Sequence, residues 1–155
     1  MASATSQSSA IDNNTTVRSF IWASIAAGLW LNLSEVVRYF VFVMPMTREA
    51  FPSVPNVAPM NLTVFSIWGV WMTLLTLLMV YLYWLHALKF GHTGKAIFIS
   101  ATVGWVFFFV LFWLGNYNMG LAHPSAIAIA LPWAWAELVI TCWIAQMVFS
   151  VRGQC

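Results

Sequence analysis

The chain has 155 residues, of which 62% are hydrophobic and 6% charged, with a mean hydropathy of +0.85. A soluble domain carries about 25% charged residues, so this composition excludes a water-facing globule and makes lipid the solvent. The formal net charge of +2 comes from scattered basic residues, which excludes the clustered basic stripe of a nucleic-acid binder.

At about 20 residues per crossing, the length accommodates four membrane-spanning helices with short loops. A transmembrane barrel is excluded because its strands alternate over about 10 residues, and residues 103–114 have almost no polar position. The expected fold is therefore all-α: a polytopic membrane protein, a four-transmembrane-helix bundle with both termini cytoplasmic.

Residues 1–17 are rich in Ser, Thr, Asn and Ala, with Asp12 the only charge, and read as a disordered polar tail. They lack the basic start and short apolar core of a cleavable signal. The transmembrane domain spans residues 18–152. Helix 1 is expected over 19–44, stopped by Pro45, which cannot continue a helical ladder. The loop 45–60 holds four prolines and should be extended and stiff. Helix 2 follows over 61–88, with Asn61 as its N-cap. Asn61-Leu62-Thr63 fits a glycosylation pattern, but it abuts the membrane and reads as a cap. A turn at 90–94 leads to helix 3 over 95–114, ended by Gly115-Asn116. Pro124 suits the first turn of helix 4, over 124–151. Residues 153–155 form a short C-terminal tail.

Orientation follows from Lys and Arg in the short flanks. Arg18, Lys89, Lys95 and Arg152 fall on one side and Arg48 on the other, so the proline loop is expected outside.

Three ionisable residues lie inside apolar helices: Glu35, Arg38 and Glu137. Charge inside a membrane is costly and marks function by default. Counting from the outer helix ends at ~1.5 Å per residue puts Glu35 ~16 Å and Glu137 ~18 Å deep, near the midplane of a ~30 Å core. Arg38 sits one turn nearer the outside and can pair with Glu35 at i,i+3. Ser24, Gly28, Asn32, Glu35 and Tyr39 should form a small, polar face of helix 1 suited to close helix packing. On helix 4, Trp133, Glu137 and Thr141 make an i,i+4 column, and Pro132 frees the Ala128 carbonyl. Two carboxylates and one guanidinium leave one negative charge over. In low dielectric a proton or a bound cation should neutralise it, with Glu137 the expected carrier because Arg38 is local to Glu35.

The site is thus expected to comprise Glu35, Arg38, Glu137, Asn32, Tyr39 and Trp133, between helices 1 and 4. It would bind a small solute or ion in a transporter or channel-like protein, assembled as a homo-oligomer or with a partner membrane subunit. Two other classes are compatible: a non-catalytic accessory subunit whose charges specify helix pairing, and a membrane-embedded enzyme acting on a lipid-soluble substrate. No catalytic motif, cofactor or metal site is expected. His86 and His92 lie near the inner surface and His123 near the outer, so no two imidazoles can ligate haem across the bundle. Met44, Met46, Met60 and Met119 gather at the outer end near His123. That grouping suits Cu(I), but it suits plain packing better. Among the ten tryptophans, Trp22, Trp84, Trp113 and Trp143 sit at belt depth. Trp30, Trp68, Trp71, Trp105, Trp133 and Trp135 lie deeper, where they could line an apolar or cationic ligand site.

Four helices, a central glutamate in helix 1 and many aromatic side chains make a plan similar to that of the small multidrug transporters. The resemblance covers architecture alone. This chain is longer, carries the long proline loop, and sets Arg38 beside the glutamate, which disfavours a cation there.

Overall fold

In the computed structural model the backbone is described for residues 2–152 and the side chains for residues 16–151. The polar tail expected over 1–17 therefore lies almost wholly outside the described side chains, as do residues 153–155. The described residues form four long helices. Helix α1 joins Ala2–Arg38, a π-helical turn at Tyr39–Val43 and Met44–Ala50. Helix α2 is Leu62–Phe90, and α3 is Gly94–Asn118 with a second π-helical turn at Val106–Val110. Helix α4 is Pro124–Arg152. All four contain a stretch long and apolar enough to cross a membrane.

Pro45 does not end α1. The Met44 N–H bonds back five residues to the Tyr39 carbonyl, so the ladder is already changing step where Pro45 enters. The wider π turn accommodates a residue that has no donor and would clash in a regular turn. The loop consequently shrinks to residues 51–61. Gly115 does not end the third helix either; α3 runs to Asn118, and the chain turns at Gly120, whose φ is +71°. Asn61 caps α2 as its sequence suggests, its side chain accepting from the Val64 N–H at 3.0 Å.

Helix α1 packs on α2 and α4, and α3 packs on the same two. Helices α2 and α4 also touch across the middle, whereas α1 and α3 make no comparable interface. The buried face of α1 is Ser19, Ala23, Ala27, Leu31, Ser34 and Arg38. Helix α4 buries Ala130, Ala134, Leu138, Thr141, Cys142 and Ala145. Small side chains on both helices let the backbones approach and gain dispersion contacts that lipid would otherwise supply. Between α2 and α3, a Cβ added at Gly104 would stand 2.3 Å from Met79 Sδ, so any side chain there requires the end of Met79 to move aside. Leu29, Leu33, Ile67 and Leu74 stand exposed, as suits lipid contact.

The inner face of α1 differs from the one expected. The Ser24–Gly28–Asn32 stripe is only half-buried and turns toward α2, where Gly28 lies opposite Thr76. The face against α4 is one residue round, which brings in Ser34 and Arg38 and leaves Glu35 at the flank.

Candidate functional site

Arg38 is the hub. Its Nη2 donates to Glu35 Oε2, an i,i+3 contact within one helix. Its Nε stands 3.4 Å from Glu137 Oε2 on α4. That second approach is near enough for charge attraction, but it is not aligned as a hydrogen bond. Arg38 Nε and Glu137 Oε2 are both fully buried and otherwise unpartnered. The guanidinium also lies over the Phe109 ring of α3, 5.6 Å from its centroid. One cation is thus shared by two carboxylates from different helices.

Glu137 is held from the other side. Ser34 Oγ donates to its Oε1 at 2.6 Å, and Trp133 Nε1 donates to the same oxygen at 3.0 Å. Trp30 Nε1 and Thr141 Oγ1 donate to its backbone carbonyl at 3.3 and 2.7 Å. Burying a carboxylate without such donors costs several kcal/mol, so the surrounding hydroxyl and indoles are part of what makes Glu137 tolerable at 2% exposure.

A cavity of about 460 Å³ lies above this group, where α1 and α3 share no extensive interface. Glu35 and Arg38 form its floor, and Glu137 lies behind Arg38, outside the lining. Trp68 and Trp71 of α2 and Phe108, Phe112 and Trp113 of α3 form walls. Phe51, Ala58 and Pro59 of the proline loop close part of the top. The π turns of α1 and α3 both border the cavity, through Tyr39 and Val43 on one side and Phe108 and Phe109 on the other. Such turns re-aim side chains and recur at functional sites.

The loop is tied down at one carbonyl. Tyr39 Oη and Arg48 Nη2 donate to the Ala58 oxygen at 3.3 and 3.4 Å. Ala58 holds φ at +49°, left-handed backbone that an alanine adopts at a cost.

Of the six residues expected in the site, Glu35, Arg38, Glu137 and Trp133 form one connected network. Tyr39 lines the cavity and reaches the loop rather than the charges. Asn32 donates to the Gly28 carbonyl of its own helix at 2.8 Å. It borders a smaller cavity of about 100 Å³, shared with Glu35, Trp68 and Met72. Ser34 and Trp113 belong to the site although neither is among the six residues the sequence points to. Ser34 is marked only by its i,i+4 offset from Arg38, and Trp113, placed by depth in the aromatic belt, faces the cavity.

The histidines are held separately. His86 Nδ1 lies 2.9 Å from Ser100 Oγ, and His92 Nδ1 lies 2.9 Å from Tyr83 Oη. Among the described residues no three His, Cys, Asp or Glu side chains gather as a metal site. Of the methionine grouping, Met46 and His123 line the large cavity, Met60 lines the small one, and Met119 is exposed.

Fold and site together define a small helical bundle with membrane-length helices, a shared buried charge group and a cavity reaching one end. The chain matches no protein-family model, no curated protein and no solved structure.

Proposed function

We propose that the chain is a small multi-pass membrane transporter or channel-like protein that admits a solute into the aromatic-walled cavity. The carrying observation is that cavity, about 460 Å³, floored by a buried Glu35–Arg38 pair with Glu137 behind it. Membrane proteins keep charges at depth where they pair and meet a cavity, and this group does both. The charge count gives the site something to exchange. With one guanidinium between two carboxylates, a second positive charge, proton or cation, is needed for neutrality in low dielectric.

The termini are cytoplasmic in this reading, with the proline loop outside. Lys89 and Lys95, with Arg18 and Arg152, mark the inner face, against Arg48 alone on the outer. A cysteine introduced by Asn56→Cys should react with a membrane-impermeant maleimide added to intact cells. One introduced by Thr93→Cys should react only after permeabilisation. The reverse pattern would invert the topology. The small bundle would work as an oligomer or beside a partner membrane subunit.

One feature favours a second reading, that of an accessory subunit. Glu137 is fixed by Ser34, Trp133 and Arg38 and lines no cavity, as a helix-pairing pin would. Proteoliposomes separate the two. Purified chain, reconstituted with a trapped pH dye under a potassium diffusion potential, should move protons or small cations, and Glu137→Gln at equal incorporation should not. No flux above protein-free vesicles in either favours the accessory role, whereas equal flux in both keeps transport and removes Glu137 from it.

A further inference from the structure

We infer that the turn between α2 and α3 binds the phosphate of one anionic phospholipid, held between Lys89 and Lys95 across the ring of Phe90. The site lies at the end of the bundle opposite the cavity and is separate from the solute-binding reading.

The turn brings the two charges together. Lys89 is in the last turn of α2 and Lys95 in the first turn of α3, with only residues 91–93 between the helices. Gly91 reverses the chain at φ +69°, a conformation that costs glycine less than any residue with a Cβ. Thr93 tightens the reversal. Its N–H donates to the Gly91 carbonyl at 2.9 Å and its Oγ1 to the Phe90 carbonyl at 3.2 Å. Lys95 Nζ then stands 4.6 Å, and Lys89 Nζ 5.3 Å, from the centroid of the Phe90 ring. The two ammonium groups are therefore no more than about 10 Å apart, near one screening length in dilute salt. Both residues are exposed, so the charges remain open to a ligand.

Among the described residues no carboxylate answers this charge. Glu35 and Glu137 are committed to Arg38, and Glu49 stands at the cavity end. Arg18, exposed at the start of the α1 span, adds charge of the same sign. A ring face offsets the repulsion between two ammonium groups only in part, whereas an anion between them reverses it. The location decides which anion. The turn joins the ends of two membrane-length helices, which is headgroup level in a bilayer. Leu88 beside Lys89, and Phe98 one turn along α3 from Lys95, are exposed and offer apolar surface to acyl chains. A free phosphate would use the lysines and leave that surface bare. A lipid uses both.

Tail-labelled phosphatidylglycerol and phosphatidylcholine with the same acyl chains serve as probes. Each is titrated against the purified full-length chain in neutral detergent micelles and followed by thermophoresis, and native mass spectrometry counts the bound lipid. One phosphatidylglycerol should bind saturably, about thirtyfold more tightly than phosphatidylcholine. Lys89→Gln and Lys95→Gln should each cost about fivefold, and the two together should bring the lipids level. Lys89→Arg with Lys95→Arg should keep the preference. Arg18→Gln, on a helix with no comparable interface to α3, should change it by less than about twofold. The substituted residues are exposed, and circular dichroism and size-exclusion profiles matching wild type qualify each variant. Inorganic phosphate, at an ionic strength matched with chloride, should not displace the lipid. Displacement by phosphate makes this a free-anion site and overturns the lipid assignment. Equal binding of the two lipids by wild type overturns the site itself. So does a full preference in either glutamine variant, or a loss in Arg18→Gln equal to that of each lysine.

Discussion

Ser34 and Trp133 converge on one oxygen of Glu137, and that convergence has a measurable signature. Hydrogen bonds between membrane helices average about 0.6 kcal/mol and reach about 1.7. Ser34→Ala and Trp133→Phe should each lower unfolding stability in micelles by about 0.5–1.5 kcal/mol. Because they share an acceptor, the double variant should cost more than the two single losses added. The remaining donor compensates in each single variant, and none remains in the double. Strict additivity would mean the two donors act independently. Asn32 gives the contrasting case. Its amide bonds to its own helix, so Asn32→Ala should change stability by less than Ser34→Ala in the same assay. The depth arithmetic that paired Glu35 with Glu137 works because helical rise is constant. It carries no information on rotation, and a shift of one residue round α1 exchanges Ser24–Gly28 for Ser34–Arg38 as the face against α4.

At the scale of the helices, the seam between α1 and α4 depends on small side chains. Ala27 and Ala134 are both fully buried. Ala27→Leu should destabilise the bundle by about 1–3 kcal/mol through overpacking, whereas Ile25→Leu on the exposed side of α1 should be close to neutral. Chemical unfolding followed by tryptophan fluorescence measures both. At the opposite end from the cavity, His92 stacks on Phe149 and sits beside Tyr83, and its carbonyl accepts from Gln146 Nε2 at 2.7 Å. Burial holds its imidazole below the ordinary value. The stability this contributes is complete above the unfolded imidazole range. It is lost as pH falls through that range toward the lower folded value, because the unfolded chain takes up the proton first. Protection of residues 88–96 against hydrogen exchange, taken relative to the intrinsic rate at each pH, should therefore fall between neutral pH and pH 5, and His92→Gln should flatten that dependence. Protection independent of pH in wild type would remove His92 from the account. Helix ends were the least legible elements. Pro45 and Gly115 carry strong stop signals, but the π turn at Tyr39–Val43 absorbs the first and Gly120 replaces the second. Nothing in the run Val106–Val110 beyond three successive phenylalanines announces the other π turn.

For the whole molecule, hydropathy made the four spans readable because apolar length is what a bilayer selects. The three charges stood out because charge at depth is rare. The cavity was not readable. It exists because α2 and α4 pack across the bundle while α1 and α3 share no comparable interface, a choice of diagonal that no local pattern encodes. The central claim is that Arg38 answers Glu35 and Glu137 together, in one enclosed group beneath that cavity. Unfolding free energies of wild type, Arg38→Gln, Glu137→Gln and the double variant test it most directly. Arg38→Gln alone should cost about 3–5 kcal/mol, the penalty of leaving a buried charge group uncompensated. Adding Glu137→Gln should return much of that loss, with a coupling above about 1 kcal/mol. Additive losses, with no recovery in the double variant, would show that the two residues do not share a site and would contradict the account.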